Sequence, residues 1–188
     1  MSAAQASLVP GGVAHAHAGV RSLCRRYELA SFGVARVRWC DAAGLRAHPV
    51  HWAFGWLADD ECEPLGVWME LGAESAAAPH FVADLRRRGL EQVRRVAAAG
   101  PAPLRERVAA AFPQAEPASD ADVAAAEAVR TALRRALGRR GGFANAGAAL
   151  DFVCCALQRT ERRLDRERAI AKVRPRHDSG AQTVPSWF

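Results

Sequence analysis

The order of hydrophobic patterns predicts an α/β protein that opens with strands: three strands, a helix, a strand, a helix, and then two more helices. Three observations carry this. Apolar residues alternate with polar ones over 34–41 (VARVRWCD) and over 50–58 (VHWAFGWLA), where Trp52, Phe54 and Trp56 share one phase. From residue 75 onward the spacing changes to i, i+4, with Phe81 and Leu85 and then Leu104, Val108 and Phe112. After residue 120 the chain carries only helix-period patterns.

The individual elements follow from local chemistry. The third strand covers 65–71 (LGVWMEL) and is joined to the second by the acidic turn Asp59-Asp60-Glu61, which predicts an antiparallel hairpin. The first helix spans 75–88, with Pro79 near its first turn and Gly89 just past its end. A short strand, weakened by alanine, covers 90–98, and the next helix stops at Pro113. Residues 114–120 (QAEPASD) have loop composition, and Ser119, Asp120 or Asp122 is placed to cap a helix over 121–138. A long helix over 146–172 has the apolar stripe Leu150, Val153, Leu157 and Leu164. The domain reading is a mobile leader over 1–33, a core over 34–172 and a disordered tail over 173–188.

Composition sets the outer bounds. The chain has 188 residues, half of them hydrophobic, enough for one ordinary domain with a sizeable core. The net charge is +6, and all but Lys172 of the 26 basic residues are arginine. No apolar run approaches the length of a membrane span, and the N-terminus lacks the pattern of a secretory signal. The expectation is a soluble, basic, cytoplasmic protein with no membrane partner and no small-molecule substrate. Five cysteines, with no Cys-x-x-Cys pair, read as reduced thiols. His15, His17 and Cys24 lack a second ligand pair at zinc spacing.

The βββαβα order followed by helices points to a ribonuclease-H-like fold. Such a fold commonly holds one metal-binding Asp in the middle of the first strand, another at the end of the fourth, and a third carboxylate on a later helix. Four stretches, taken in order, carry a closer resemblance: RVRWCDAAGLR; PLGVWMELGAES followed by DLRRRGLEQV; AAAGPAPLRERVAAAFPQAE; and EAVRTALRRALGRRGGFANAGAALDFVCCALQRTERRL. Together they resemble the Mutator-type transposases of bacterial insertion sequences over residues 35–165.

The resemblance implies DNA cleavage and strand transfer by two aspartates and a glutamate that hold two Mg²⁺ ions. Asp41 falls on the first position. Counted back from Phe112, the second position falls on Ala99; counted back from Phe143, the glutamate position falls on Glu127. The strand that follows Phe-Pro-x-Ala in the family, with its Cys-x-x-His pair, and the helical insertion after it have no counterpart. The expectation is therefore a degenerate core without its fifth strand and insertion, and a catalytically inactive remnant. Two-metal chemistry needs oxygen ligands around ions roughly 3.5–4 Å apart, and a methyl group supplies none. Read without the resemblance, Asp41 is a strand-ending turn residue, and Glu127 is a solvated helix residue within reach of Arg130.

Arginine clusters give the remaining expectation. Arg86–Arg88, Arg94–Arg95 and the set Arg130, Arg134, Arg135, Arg139 and Arg140 are read as solvated faces or as phosphate contacts. The last set is assigned to weak, sequence-independent DNA binding. The alternative function is a small interaction module that joins full-length transposase through the stripe Leu150, Val153, Leu157 and Leu164.

Overall fold

The computed structural model describes residues 6–9, 13–16, 23, 26–41, 44–59, 61–70 and 77–173. Seven strands and four helices follow one another as β1 (Ala6–Val9), β2 (Val13–Ala16), β3 (Tyr27–Asp41), β4 (Gly44–Leu57), β5 (Cys62–Glu70), α1 (Ala77–Arg87), β6 (Val93–Ala99), α2 (Ala102–Ala111), β7 (Glu116–Pro117), α3 (Asp120–Gly138) and α4 (Ala146–Val173). They form one mixed sheet in the order β1-β2-β5-β4-β3-β6-β7. Strands β3, β4 and β5 are antiparallel neighbours, whereas β6 runs parallel to β3 and β7 parallel to β6.

The two faces of the sheet are covered by different helices. Leu29, Val37, Trp39, Val50, Trp52, Phe54, Val67 and Met69 pack with Ala126, Val129 and Leu133 of α3 and with Leu150, Val153 and Leu157 of α4. On the opposite face Tyr27, Ala30, Phe32, Leu65 and Trp68 pack with Phe81 and Leu85 of α1 and Leu104 and Val108 of α2. Strand side chains alternate between faces, so one irregularity reverses the phase. A bulge between Tyr27 and Leu29 does this in β3 and sends these two residues to opposite faces.

The helices and strands β3–β6 match the sequence reading in type, with three differences in limits and in added strands. First, β3 begins at Tyr27 rather than at residue 34, and β1 and β2 also fall within the segment read as a leader. The polar Ser31 and the glycine at 33 break the alternation there, yet Ser31 is buried and its hydroxyl donates to the Phe54 carbonyl at 3.4 Å. Second, β4 starts at Gly44, six residues before the strongly alternating run. Third, a strand does follow α2. It is two residues long and pairs as Arg95↔Glu116 and Val96↔Pro117. Proline lacks the N–H that would extend a ladder, and two residues have no alternation to read. The tail, apart from Val173 at the end of α4, lies outside the described residues.

Helix ends are set by recognisable caps. After α1, Gly89 takes a φ of 96°, and the Leu90 N–H reaches the Leu85 carbonyl at 2.9 Å, closing a Schellman turn with both leucines in the core. At α3 the Ser119 hydroxyl accepts from the Asp122 N–H at 3.2 Å, and Asp122 accepts from the Ser119 N–H at 2.8 Å, a reciprocal capping box. Asp122 also pairs with Arg95 of β6 at 2.9 Å, which ties the start of α3 to the sheet. Burial opposes ionisation of Asp122. The Ser119 hydrogen bonds and the Arg95 charge outweigh it and hold the carboxyl below its ordinary range.

Two outcomes follow. Gly33→Val is expected to destabilise the fold by about 1–3 kcal/mol in urea titration, because a Cβ there overlaps the Trp52 indole. Asp122 is depressed in the folded state, so its stabilisation is present above its unfolded pKa, near 4, and is lost as pH falls through the lower folded value. Asp122→Asn should therefore lower stability at pH 7 and flatten the loss below pH about 4. An unchanged acid limb would remove Asp122 from the account.

Candidate nucleic-acid interface

The parallel pairing of β3 with β6 fixes what meets at the end of β6. The register runs Leu29↔Arg95, Ser31↔Ala97 and Gly33↔Ala99, and there it stops. Gly33, near the middle of the 15-residue β3, is thus the residue beside Ala99. Asp41 lies eight residues further on and pairs with Gly44 at the β3–β4 hairpin. At about 3.3 Å per residue, that places its backbone about 26 Å from the Ala99 pairing. Asp41 and Ala99 are thus not neighbours in the sheet. Strand β3 starts earlier than its alternation indicated, so the residues that pair with Ala97 and Ala99 are Ser31 and Gly33.

An apolar layer occupies the α3 side of this region. Ala97, Ala99, Trp52, Ala126 and Val129 are all buried in one cluster, and the Trp52 indole covers Gly33. Glu127 follows Ala126 but stands beside the buried stripe of α3 rather than in it. Its carboxylate is 40% exposed and accepts from Arg130 Nε at 2.6 Å. Glu127 lies about 16 Å along the helix axis before Gly138. Gly138 lines the same groove as Arg38, three residues short of Asp41. Asp41, Ala99 and Glu127 are thus carried by three different elements, the end of β3, the end of β6 and the middle of α3. Among the described residues, no group of three or more His, Cys, Asp or Glu side chains is placed to hold a metal ion.

The arginines divide into bound and available sets. Arg86 donates to the Ala111 carbonyl at 2.8 Å, Arg87 and Arg88 pair with the buried Asp84, and Arg88 also donates to the Leu65 carbonyl. Arg94 pairs with Glu28 and Glu116, and Arg95 with Asp122. These two clusters staple α1, α2, β6 and β7 together. In the α3 set Arg130 is paired with Glu127, whereas Arg134, Arg135, Arg139 and Arg140 make no ion pair among the described residues. Residues one turn apart share a side of a helix, so Arg130 and Arg134 face β3 while Arg135 and Arg139 face α4.

Two clefts result. One, of about 540 Å³, lies between β3 and α3 and is lined by Val34–Arg38 together with Arg130, Arg134, Arg140, Gly141 and Phe143. Its floor is the stretch of β3 that continues past the end of β6. Among the described residues, that stretch is closed only at Arg38, whose carbonyl accepts from the Phe143 N–H at 2.8 Å. Arg36 and Arg38 were not among the expected contacts. Their signal was the polar phase of VARVRW, which puts both on the same side of the strand. The second cleft, between α3 and α4, receives Arg135 and Arg139. Arg140 lines both and lies over the rings of Phe143 and Phe152, 5.3 and 5.2 Å from their centroids.

Leu150, Val153 and Leu157 are fully buried against the sheet, so the stripe offered as a partner surface is an internal contact; Leu164 is half-buried at the margin of the same cluster. Cys40, Cys62, Cys154 and Cys155 are free thiols. Burial pushes Cys62 up to about 11 and Cys154 up to about 12, so both remain protonated at neutral pH. No helix is long and apolar enough to cross a membrane among the described residues.

Comparison with known proteins adds one match. No curated protein matches the chain. The family model for the Mutator family of transposases matches residues 13–119, more than half of the chain. The match begins at the first residue of β2, inside the segment read as a leader, and ends at the Ser119 cap, before the helix that carries Glu127. It therefore covers the strands, helices and register that place Gly33 beside Ala99, and by that match the chain belongs to the Mutator family of transposases.

Proposed function

We propose that this chain is a transposase-family protein that holds DNA by its phosphate backbone and does not cut it. The part of the sheet ordered β5-β4-β3-β6-β7, with three antiparallel strands followed by two parallel ones, is read as a ribonuclease-H-like core. In that fold the metal-binding aspartates belong mid-way along the first strand and at the end of the fourth. The corresponding residues are Ser31 or Gly33 on β3 and Ala97 or Ala99 on β6.

The observation that carries the reading is the apolar filling of that place. The residues present do not fit a pair of Mg²⁺ ions. Ala97, Ala99 and Gly33 have no side-chain oxygen, the Ser31 hydroxyl is turned to Phe54, and Trp52 covers Gly33. Magnesium requires near-octahedral oxygen ligation and keeps several waters, which a dry alanine and tryptophan layer excludes. Glu127 is neutralised by Arg130.

DNA contact is assigned to the β3–α3 groove. Its lining residues include Arg36 and Arg38, in the strand phase opposite to Val37 and Trp39 at the open edge of β3, together with Arg134, Arg140 and the Glu127-paired Arg130, and no carboxylate. Arginine forks bind phosphate in pairs of hydrogen bonds and release counterions, which gives affinity without sequence preference.

The test has two parts. Binding to a duplex should weaken as salt rises, with a log–log slope of about −4, and Arg36→Ser/Arg38→Ser/Arg134→Ser should reduce the slope by about two to three. Supercoiled DNA should remain intact with Mg²⁺ or Mn²⁺. Salt-independent binding would overturn the groove assignment. Metal-dependent nicking that Asp41→Asn or Glu127→Gln abolishes would overturn the non-cleaving assignment.

A further inference from the structure

We propose that the cleft between α3 and α4 is a second anion site, one built for a chain of linked phosphates and separate from the β3–α3 groove. Arg135 and Arg139 of α3 face Arg159 and Arg163 of α4 across it, with Arg140 at the junction of the two clefts. The volume is about 540 Å³, inside the range of about 300–1,000 Å³ typical of ligand sites.

The charge balance of this cleft is unusual for the molecule. No carboxylate lines it. Arg135, Arg139 and Arg159 are exposed and make no ion pair among the described residues, unlike Arg87, Arg88, Arg94 and Arg95. Arg163 alone has an acidic partner, Glu167 at 3.6 Å. The C-terminal end of α3 contributes about half a negative charge, small beside five full positive ones. Gathering these guanidinium groups in one cleft costs repulsion that a polyanion removes.

Geometry selects the anion. Arg135 and Arg139 are one turn apart, as are Arg159 and Arg163, so each row spans about 6 Å. That is longer than one phosphate group and fits two or more linked ones. Planar guanidinium forks match phosphate oxygens in pairs. The stacking of Arg140 on Phe143 and Phe152 fixes its fork before any ligand arrives, which lowers the ordering cost. The walls between the arginines are Ala132, Ala136 and Ala156. They are shallow and offer no pockets for peptide side chains, which favours a phosphate chain over an acidic peptide.

The experiment titrates the full chain with sodium tripolyphosphate in a calorimeter at low salt. Arg135→Ser/Arg139→Ser/Arg159→Ser should weaken binding about tenfold or more, whereas Arg36→Ser/Arg38→Ser/Arg134→Ser should change it by less than about twofold. All six positions are exposed, and matching thermal melts verify that each variant is folded. Competition identifies the source of the phosphates. Displacement of tripolyphosphate by single-stranded DNA assigns the cleft to a nucleic-acid strand; retention of it assigns the cleft to free polyphosphate. Both results uphold the site. Equal losses in the two variants, no binding by the unmodified chain, or tighter binding of a polyglutamate peptide than of tripolyphosphate would overturn it. Loss of duplex binding in the second variant concerns the β3–α3 groove alone and leaves this site standing.

Discussion

The pairing of Gly33 with Ala99, under the indole of Trp52, governs what this sheet can do on its α3 face. The register brings the middle of β3 to the end of β6, and the side chains that arrive there are a hydrogen atom, two methyl groups and a buried hydroxyl. Trp52 can lie flat across β3 only because Gly33 has no side chain. A carboxylate at any of these positions would enter a packed apolar layer with no counter-ion, at a cost of several kcal/mol. Packing in this layer and metal binding at the same place exclude each other.

The same register explains the basic grooves. Strand β3 outruns β6 by eight residues, so beyond Gly33 its side away from β4 is met, among the described residues, only by the isolated bridge to Phe143. The free side becomes the floor of a groove that α3 walls with arginines. An open strand edge invites association with other chains, and charged side chains such as Arg36 and Arg38 oppose it. Four other arginines are neutralised: Asp84 takes up Arg87 and Arg88, Glu28 and Glu116 take up Arg94, and Asp122 takes up Arg95. Around the end of α3, Arg134, Arg135, Arg139 and Arg140 make no ion pair among the described residues, nor does Arg159 on the facing α4.

Much of this architecture was legible in the residues. The aromatic alternation of β4, the i, i+4 pairs of α1 and α2, the Gly89 stop and the Ser119 cap all act locally, and local signals survive without knowledge of the fold. What escaped was non-local. Ser31 and Gly33 read as a break because their burial depends on Phe54 and Trp52, two strand positions more than eighteen residues away. Asp41 was assigned by its resemblance to a motif, whereas its place is set by the start of β3, which no local pattern marked. The two-residue β7 exists only as a partner of β6. The α3 arginines were recognised as a set, but their division between two clefts required knowing that α3 lies between β3 and α4.

The central claim of the proposed function is that the place a ribonuclease-H-like core would use for metal is filled by packed apolar side chains. Calorimetric titration with Mn²⁺, which occupies Mg²⁺ sites and binds carboxylate clusters readily, addresses it without depending on any DNA substrate. The account predicts no saturable heat in the millimolar range, with the Glu127→Gln variant giving the same trace. Saturable binding of two ions per chain that Glu127→Gln abolishes would contradict it.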